Sequence, residues 1–259
     1  MSLAPAGTAT GSSDGTDPRQ GQGKRQSPTS FSERWWAIAG AIIGLVGNLA
    51  HPVTAGPGDP EQTARVVADS RIWVPLHLAL LVAFLLMLGG LVAIGASITG
   101  GLAGALARFG FAAAIVGTTA GVIDVTLDGF AAKHLAQWWM SAPPAARATA
   151  ILPFRSEDAV NFALLSPLNL VFAGFTFVLY GLAAALSGRY PRWLGWTVAV
   201  GGAGGAVSGG IQAFMGEPIG ITRVLGIAAP TIITLWLLVM GILLLRKRDE
   251  PIARVSPVS

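Results

Sequence analysis

The sequence predicts an all-α polytopic membrane protein, a six-transmembrane-helix bundle with both termini in the cytoplasm. Three observations carry that prediction. Of 259 residues, 53% are hydrophobic and only 12% charged, where soluble domains carry about a quarter charged residues. The missing charge is missing from long blocks, as in membrane spans rather than a large soluble core. The basic residues gather at the ends of those blocks, as topology determinants do.

The elements follow in order. Residues 1–33 are rich in Gly, Ser, Thr, Pro and Gln. Such a segment buries too little apolar surface to offset its ordering entropy, so it reads as a disordered cytoplasmic tail. It is no signal peptide, because its apolar stretch begins too late, lacks a small-residue cleavage site and is followed by five more. Residues 34–247 form the transmembrane domain and 248–259 a short cytoplasmic tail.

Within the domain, apolar segments run over 35–53, 72–98, 105–127, 159–186, 193–215 and 222–245. Each is long enough to cross about 30 Å at about 1.5 Å per residue. Trp35, Trp36, Trp73, Trp138, Trp139, Tyr190 and Trp193 sit at segment ends, where interfacial aromatics are expected. Residues 61–71 after a Gly/Pro turn predict a short helix on the outer surface. Residues 129–140 continue the third span beyond the bilayer as far as Pro143-Pro144.

Orientation comes from Lys and Arg. With the N-terminus inside, eleven lie on the cytoplasmic side (Arg19, Lys24, Arg25, Arg34, Arg108, Arg189, Arg192, Arg246, Lys247, Arg248, Arg254) and six on the other (Arg65, Arg71, Lys133, Arg147, Arg155, Arg223). The net charge of +4 is scattered rather than patched, which argues against nucleic acid as a partner. With no Cys in the chain, disulfides, thiolate metal sites and c-type haem attachment are excluded.

Helix contacts are expected at the four-residue glycine repeats Gly40/Gly44, Gly117/Gly121 and Gly201/Gly205/Gly209, which let backbones approach closely. Pro167 and Pro230 are expected to kink the fourth and sixth spans. Segments 1 and 5 both begin Arg-Trp and are Gly-rich, a faint sign of internal repetition.

The polar residues inside the apolar blocks point to function, since ionisable groups there are costly and mark sites. His51 lies about 24 Å along the first segment from Trp35, and Asn48 a turn deeper. His77 lies about 6 Å inside the outer end of the second segment, and Asp124 and Asp128 roughly 24 and 30 Å from Arg108. The two aspartates, four residues apart, share a helix face. Ser156-Glu157-Asp158 opens the fourth span as an N-terminal cap, with Asn161 a turn later. All fall in the outer third, while the inner two thirds contain almost nothing ionisable. This asymmetry predicts an outward polar pocket of Asn48, His51, His77, Asp124, Asp128 and Asn161, closed below.

Each residue also has a plainer structural role. His51 before Pro52 can cap carbonyls at a helix end, and His77 can be a hydrogen-bonded core histidine. Asn48, Asn161 and Asn169 can bond between helices. Asp124 needs a partner, a proton or a metal. His51, His77 and Asp124 are the candidate metal ligands, with zinc or iron the suitable ions. No two histidines have a short ligand spacing such as H-x3-H, however. A bis-histidine b-type haem between spans 1 and 2 is a further option. Asp124 and Asp128 are the candidates for acid–base chemistry on a lipid-soluble substrate. No phosphate loop, nucleophile elbow or H-E-x-x-H occurs.

Asn48-x-x-His51-Pro52, Trp73-x3-His77, Leu127-Asp128-Gly129-x3-Lys133 and Tyr190-Pro191-Arg192-Trp193-Leu194-Gly195 resemble the motifs of a group of uncharacterised bacterial multi-pass membrane proteins over about residues 35–245. The resemblance implies a six-helix fold in the bacterial plasma membrane. His134 and Asp124 lie outside its motifs. Three functions stay open: an outward pocket that binds or passes a small molecule or lipid, an intramembrane enzyme or redox protein using the His/Asp residues, and a structural or accessory subunit. The sequence specifies lipid bilayer as surroundings but not an oligomeric state.

Overall fold

A computed structural model of the chain describes residues 31–55, 58–216 and 220–246. Nearly all the described residues are helical, and none is in a strand. The helices are α1 (Phe31–Ala50), α2 (Pro60–Asp69), α3 (Trp73–Ser97), α4 (Gly101–Ser141), α5 (Pro144–Leu186), α6 (Arg192–Met215) and α7 (Gly220–Arg246). Five of them, α3 to α7, are long and apolar enough to cross a membrane, whereas the apolar part of α1, Trp35–Ala50, is shorter. Most of both expected tails lies outside the described residues, although α1 already begins at Phe31.

Leaving aside α2, each helix packs against the next in chain order, and α7 closes back onto α1. The result is a closed ring of six helices. Small residues set its spacing. At Gly209 of α6 a methyl group would stand 2.6 Å from the Ser166 carbonyl of α5, and at Gly40 of α1 one would stand 2.7 Å from the Met87 nitrogen of α3. Both positions belong to the glycine repeats, and in both the neighbour is backbone that cannot swing aside. One core, with Leu91, Ile94, Phe177, Tyr180, Val198 and Leu237, fills the ring away from α2.

A second core lies at the other end, here termed the cap end. There α2 buries Ala64 and Val67 against Trp73, Ala132, Ala136, Trp139, Ile151 and Phe154. The local sequence explains this helix. Asp59 accepts a hydrogen bond from the Gln62 amide (3.0 Å) as N-cap, and Pro60 stands in the first turn, where its missing N–H costs nothing. At the other end Lys133 donates 2.8 Å hydrogen bonds to the carbonyls of Val67, Ala68 and Ser70. A buried ammonium thus satisfies the last carbonyls of α2, as the helix dipole favours. Arg65 adds a cation–π contact 5.7 Å above Trp139.

The extension of the third segment is seen: α4 runs unbroken to Ser141, just before Pro143-Pro144. Several expectations are corrected. Ser156-Glu157-Asp158 does not cap a helix start, because α5 is already helical from Pro144 and these residues lie in its fourth turn. Trp73, Trp139 and Tyr190 are buried, at 1%, 2% and 4% exposure, rather than on a surface belt. The second core recruits the two tryptophans, and Tyr190 joins the main core and meets the Ser97 hydroxyl at 2.6 Å. Pro167, where a kink is expected, lies inside its helix, and a π-helical stretch, Leu168–Thr176, follows it. Its missing N–H deprives one carbonyl of its usual donor, and a shift to i→i−5 bonding carries the chain on.

Candidate functional site

A cavity of about 460 Å³ occupies the ring beneath α2. Asn48, His51, His77, Asp124, Asp128 and Asn161 all line it, although they come from four separate parts of the chain. Thr63 and Val67 of α2 lie on its cap side, and Phe84, Met87, Phe172 and Ile233 form an apolar end. Asn169, Gln212 and Thr234 also contribute polar groups.

At the centre are two imidazoles and one carboxylate. His77 is 1% exposed on α3 and lies one turn after Trp73. Its Nδ1 is 2.7 Å from the Trp73 carbonyl oxygen. A carbonyl can only accept, so Nδ1 carries the proton and donates it. His51, just past the end of α1, repeats the arrangement: its Nδ1 donates to the Pro52 carbonyl at 3.0 Å. Both rings thereby turn Nε2 inward. The two Nε2 atoms stand 3.4 Å apart, and Asp128 Oδ2 lies 2.9 Å from that of His77 and 3.7 Å from that of His51.

The backbone of α4 delivers Asp128. Residues Leu127–Ala131 form a π-helical turn, and the Ala132 N–H bonds to the Leu127 carbonyl. Such a bulge inserts an extra residue and re-aims side chains, and it recurs at functional sites. Trp73 fastens the turn by donating from Nε1 to the Asp128 carbonyl at 2.7 Å. Gly129 allows the approach, since a Cβ there would overlap the Cβ of His77. The Trp73 ring lies 4.8 Å from the His77 ring and 5.0 Å, edge to face, from that of His51. Loss of any of these contacts would loosen the two rings.

The carboxylate grouped with the histidines is therefore Asp128 and not Asp124, which corrects the candidate ligand set. Asp124 lies one turn away and meets Asn161, whose amide nitrogen donates to Asp124 Oδ1 at 3.0 Å and to its carbonyl at 3.3 Å in the orientation that satisfies both groups. Asn48 bonds back to the Gly44 carbonyl at 2.8 Å within its own helix. His134 is exposed on α4, outside the cluster.

Two contributors escape a reading of the sequence. Gln212, 2% exposed among the glycines of α6, donates to the Phe162 carbonyl at 3.1 Å and accepts from Asn169 at 3.4 Å, which fixes the cavity wall between α5 and α6. Its position three residues after Gly209 was the available signal, because that places it on the packed face. Lys133 reads as a topology charge, yet it is tied to α2 one turn past the site. No known protein family, curated protein or solved structure matches the chain.

Proposed function

We propose that this is a bacterial plasma-membrane protein of six membrane-crossing helices, with both termini cytoplasmic, whose outward-facing cavity binds or passes a small amphiphilic molecule or lipid. The likeness of its motifs to those of bacterial multi-pass proteins belongs to this reading. The observation that carries it is the cavity itself. A polar end with imidazoles and carboxylates adjoins an end walled by Phe84, Met87, Phe172 and Ile233, which matches a ligand with one polar and one apolar part. The six-span reading rests on α1: its 20 residues amount to about 30 Å of helix, and it is a full member of the ring. The orientation rests on the eleven-to-six distribution of Lys and Arg.

Two experiments test this. Reporter fusions at each terminus should be active only in the cytoplasm; periplasmic activity at either would contradict the topology. Solvent extraction of detergent-purified protein should recover about one amphiphile per chain. Gly226→Phe should abolish that recovery without unfolding the protein, because Gly226 lines the cavity and a side chain there meets open space. Equal recovery from both proteins would refute the cavity as the binding place.

A further inference from the structure

We infer that His51 Nε2, His77 Nε2 and Asp128 Oδ2 bind a single divalent transition-metal ion, of the zinc or ferrous-iron class, with at least one coordination position open to the cavity. The open position rests on the proposed ligand-binding cavity; the three-atom site stands on its own geometry.

The three donor atoms are separated by 3.4, 2.9 and 3.7 Å. Ligands held tetrahedrally at about 2.0–2.1 Å from one ion are roughly 3.3–3.4 Å apart. The ion therefore fits with shifts of a few tenths of an ångström. A porphyrin plane does not fit between two nitrogens this close with a carboxylate against both, which disfavours a bis-histidine haem.

Because both Nδ1–H groups are spent on the carbonyls of Trp73 and Pro52, a neutral imidazole at either place presents a bare lone pair on Nε2. Two lone pairs and a carboxylate oxygen then face one another with nothing positive between them. Only a cation or extra protons relieve that repulsion. A ring N–H donated to a backbone carbonyl is also the usual way in which a metal-bound histidine is oriented.

Two imidazoles and one carboxylate are the donors of hydrolytic zinc sites and of non-haem iron sites. The Asp128 backbone is held by the Trp73 bond to its carbonyl and by the π-turn, and His77 by its burial. Asn48 and Asp124 line the same cavity.

The test uses the full chain, purified in detergent, stripped with chelator and titrated with Co²⁺ as a spectroscopic probe, alongside elemental analysis for zinc and iron. One Co²⁺ per chain with the absorption of a low-symmetry site is expected. Asp128→Asn and His51→Ala should each weaken Co²⁺ binding by at least about a hundredfold, whereas exposed His134→Ala should leave it unchanged. His51 sits past the end of α1 and is only half-buried, so gel filtration of His51→Ala keeps the test valid if a buried variant fails to fold. Absence of saturable Co²⁺ uptake by folded wild-type protein overturns the site, as does unchanged uptake in folded His51→Ala, which would leave protons as the balancing charge. The same samples are assayed for amphiphile. Metal lost with amphiphile kept refutes this inference alone, and metal kept with amphiphile lost supports it while refuting the cavity reading.

Discussion

The two ends of the ring are built on different principles. Away from α2, helices meet through glycine and alanine faces around a core of Leu91, Ile94, Phe177, Tyr180 and Leu237, and the polar contacts there are made by uncharged hydroxyls. Tyr180 donates to the Leu91 carbonyl at 2.8 Å, and Ser97 to that of Ile94 at 2.6 Å. At the cap end the contacts gather ionisable groups from separate helices: His77 Nε2 stands 2.9 Å from Asp128 Oδ2, Trp73 donates to the Asp128 carbonyl, and Lys133 donates to α2. Backbone proximity suffices for the first region. The second spends regular helix geometry, a buried lysine and two buried tryptophans on holding a cavity open. Packing alone would not select such features, so the cap end is where function should reside.

Altering each region should therefore do different damage. The largest effect is expected at the ring contacts. Gly209→Leu drives a side chain into the α5 backbone, at a cost of about 3 kcal/mol or more, and should leave little monodisperse protein on gel filtration. Wild-type behaviour would mean that the ring is looser than described. Next is the clamp on α2. Lys133→Met removes three charge-assisted hydrogen bonds, worth about 2 kcal/mol together after the apolar stem is retained. Trypsin should then cut faster at Arg65 and Arg71 while the melting temperature of the bundle changes little. Equal loss of both would merge the two regions into one cooperative unit. The smallest effect on stability, yet a clear one on the site, is expected for Asp128→Asn. The isosteric amide keeps the Trp73 bond to the residue 128 carbonyl and should weaken Co²⁺ binding by about a hundredfold with melting nearly unchanged.

Much of this was legible in the sequence, because a bilayer restricts what a chain can do. The hydrophobic blocks gave the long helices, the four-residue glycine repeats gave faces that do pack closely, and residues 61–71 gave α2. Six polar residues of the apolar blocks line one cavity. What could not be read is registry. Helical spacing makes Asp124 and Asp128 equivalent members of one face, and only the π-turn and the Trp73 bond bring Asp128 to the histidines. Trp73 and Trp139 resemble interfacial anchors because a sequence does not reveal that α2 folds over them. The helical start of α5 was hidden by its charges, which its position at the cap end tolerates.

The most direct test of the cap-end cavity as a binding site is the intact mass of the protein released from detergent under non-denaturing conditions. The expected result is a wild-type species heavier than the bare chain by one amphiphile, and a Gly226→Phe species without that addition. A wild-type mass equal to the bare chain in every detergent tried, or an addition that survives Gly226→Phe, would contradict it.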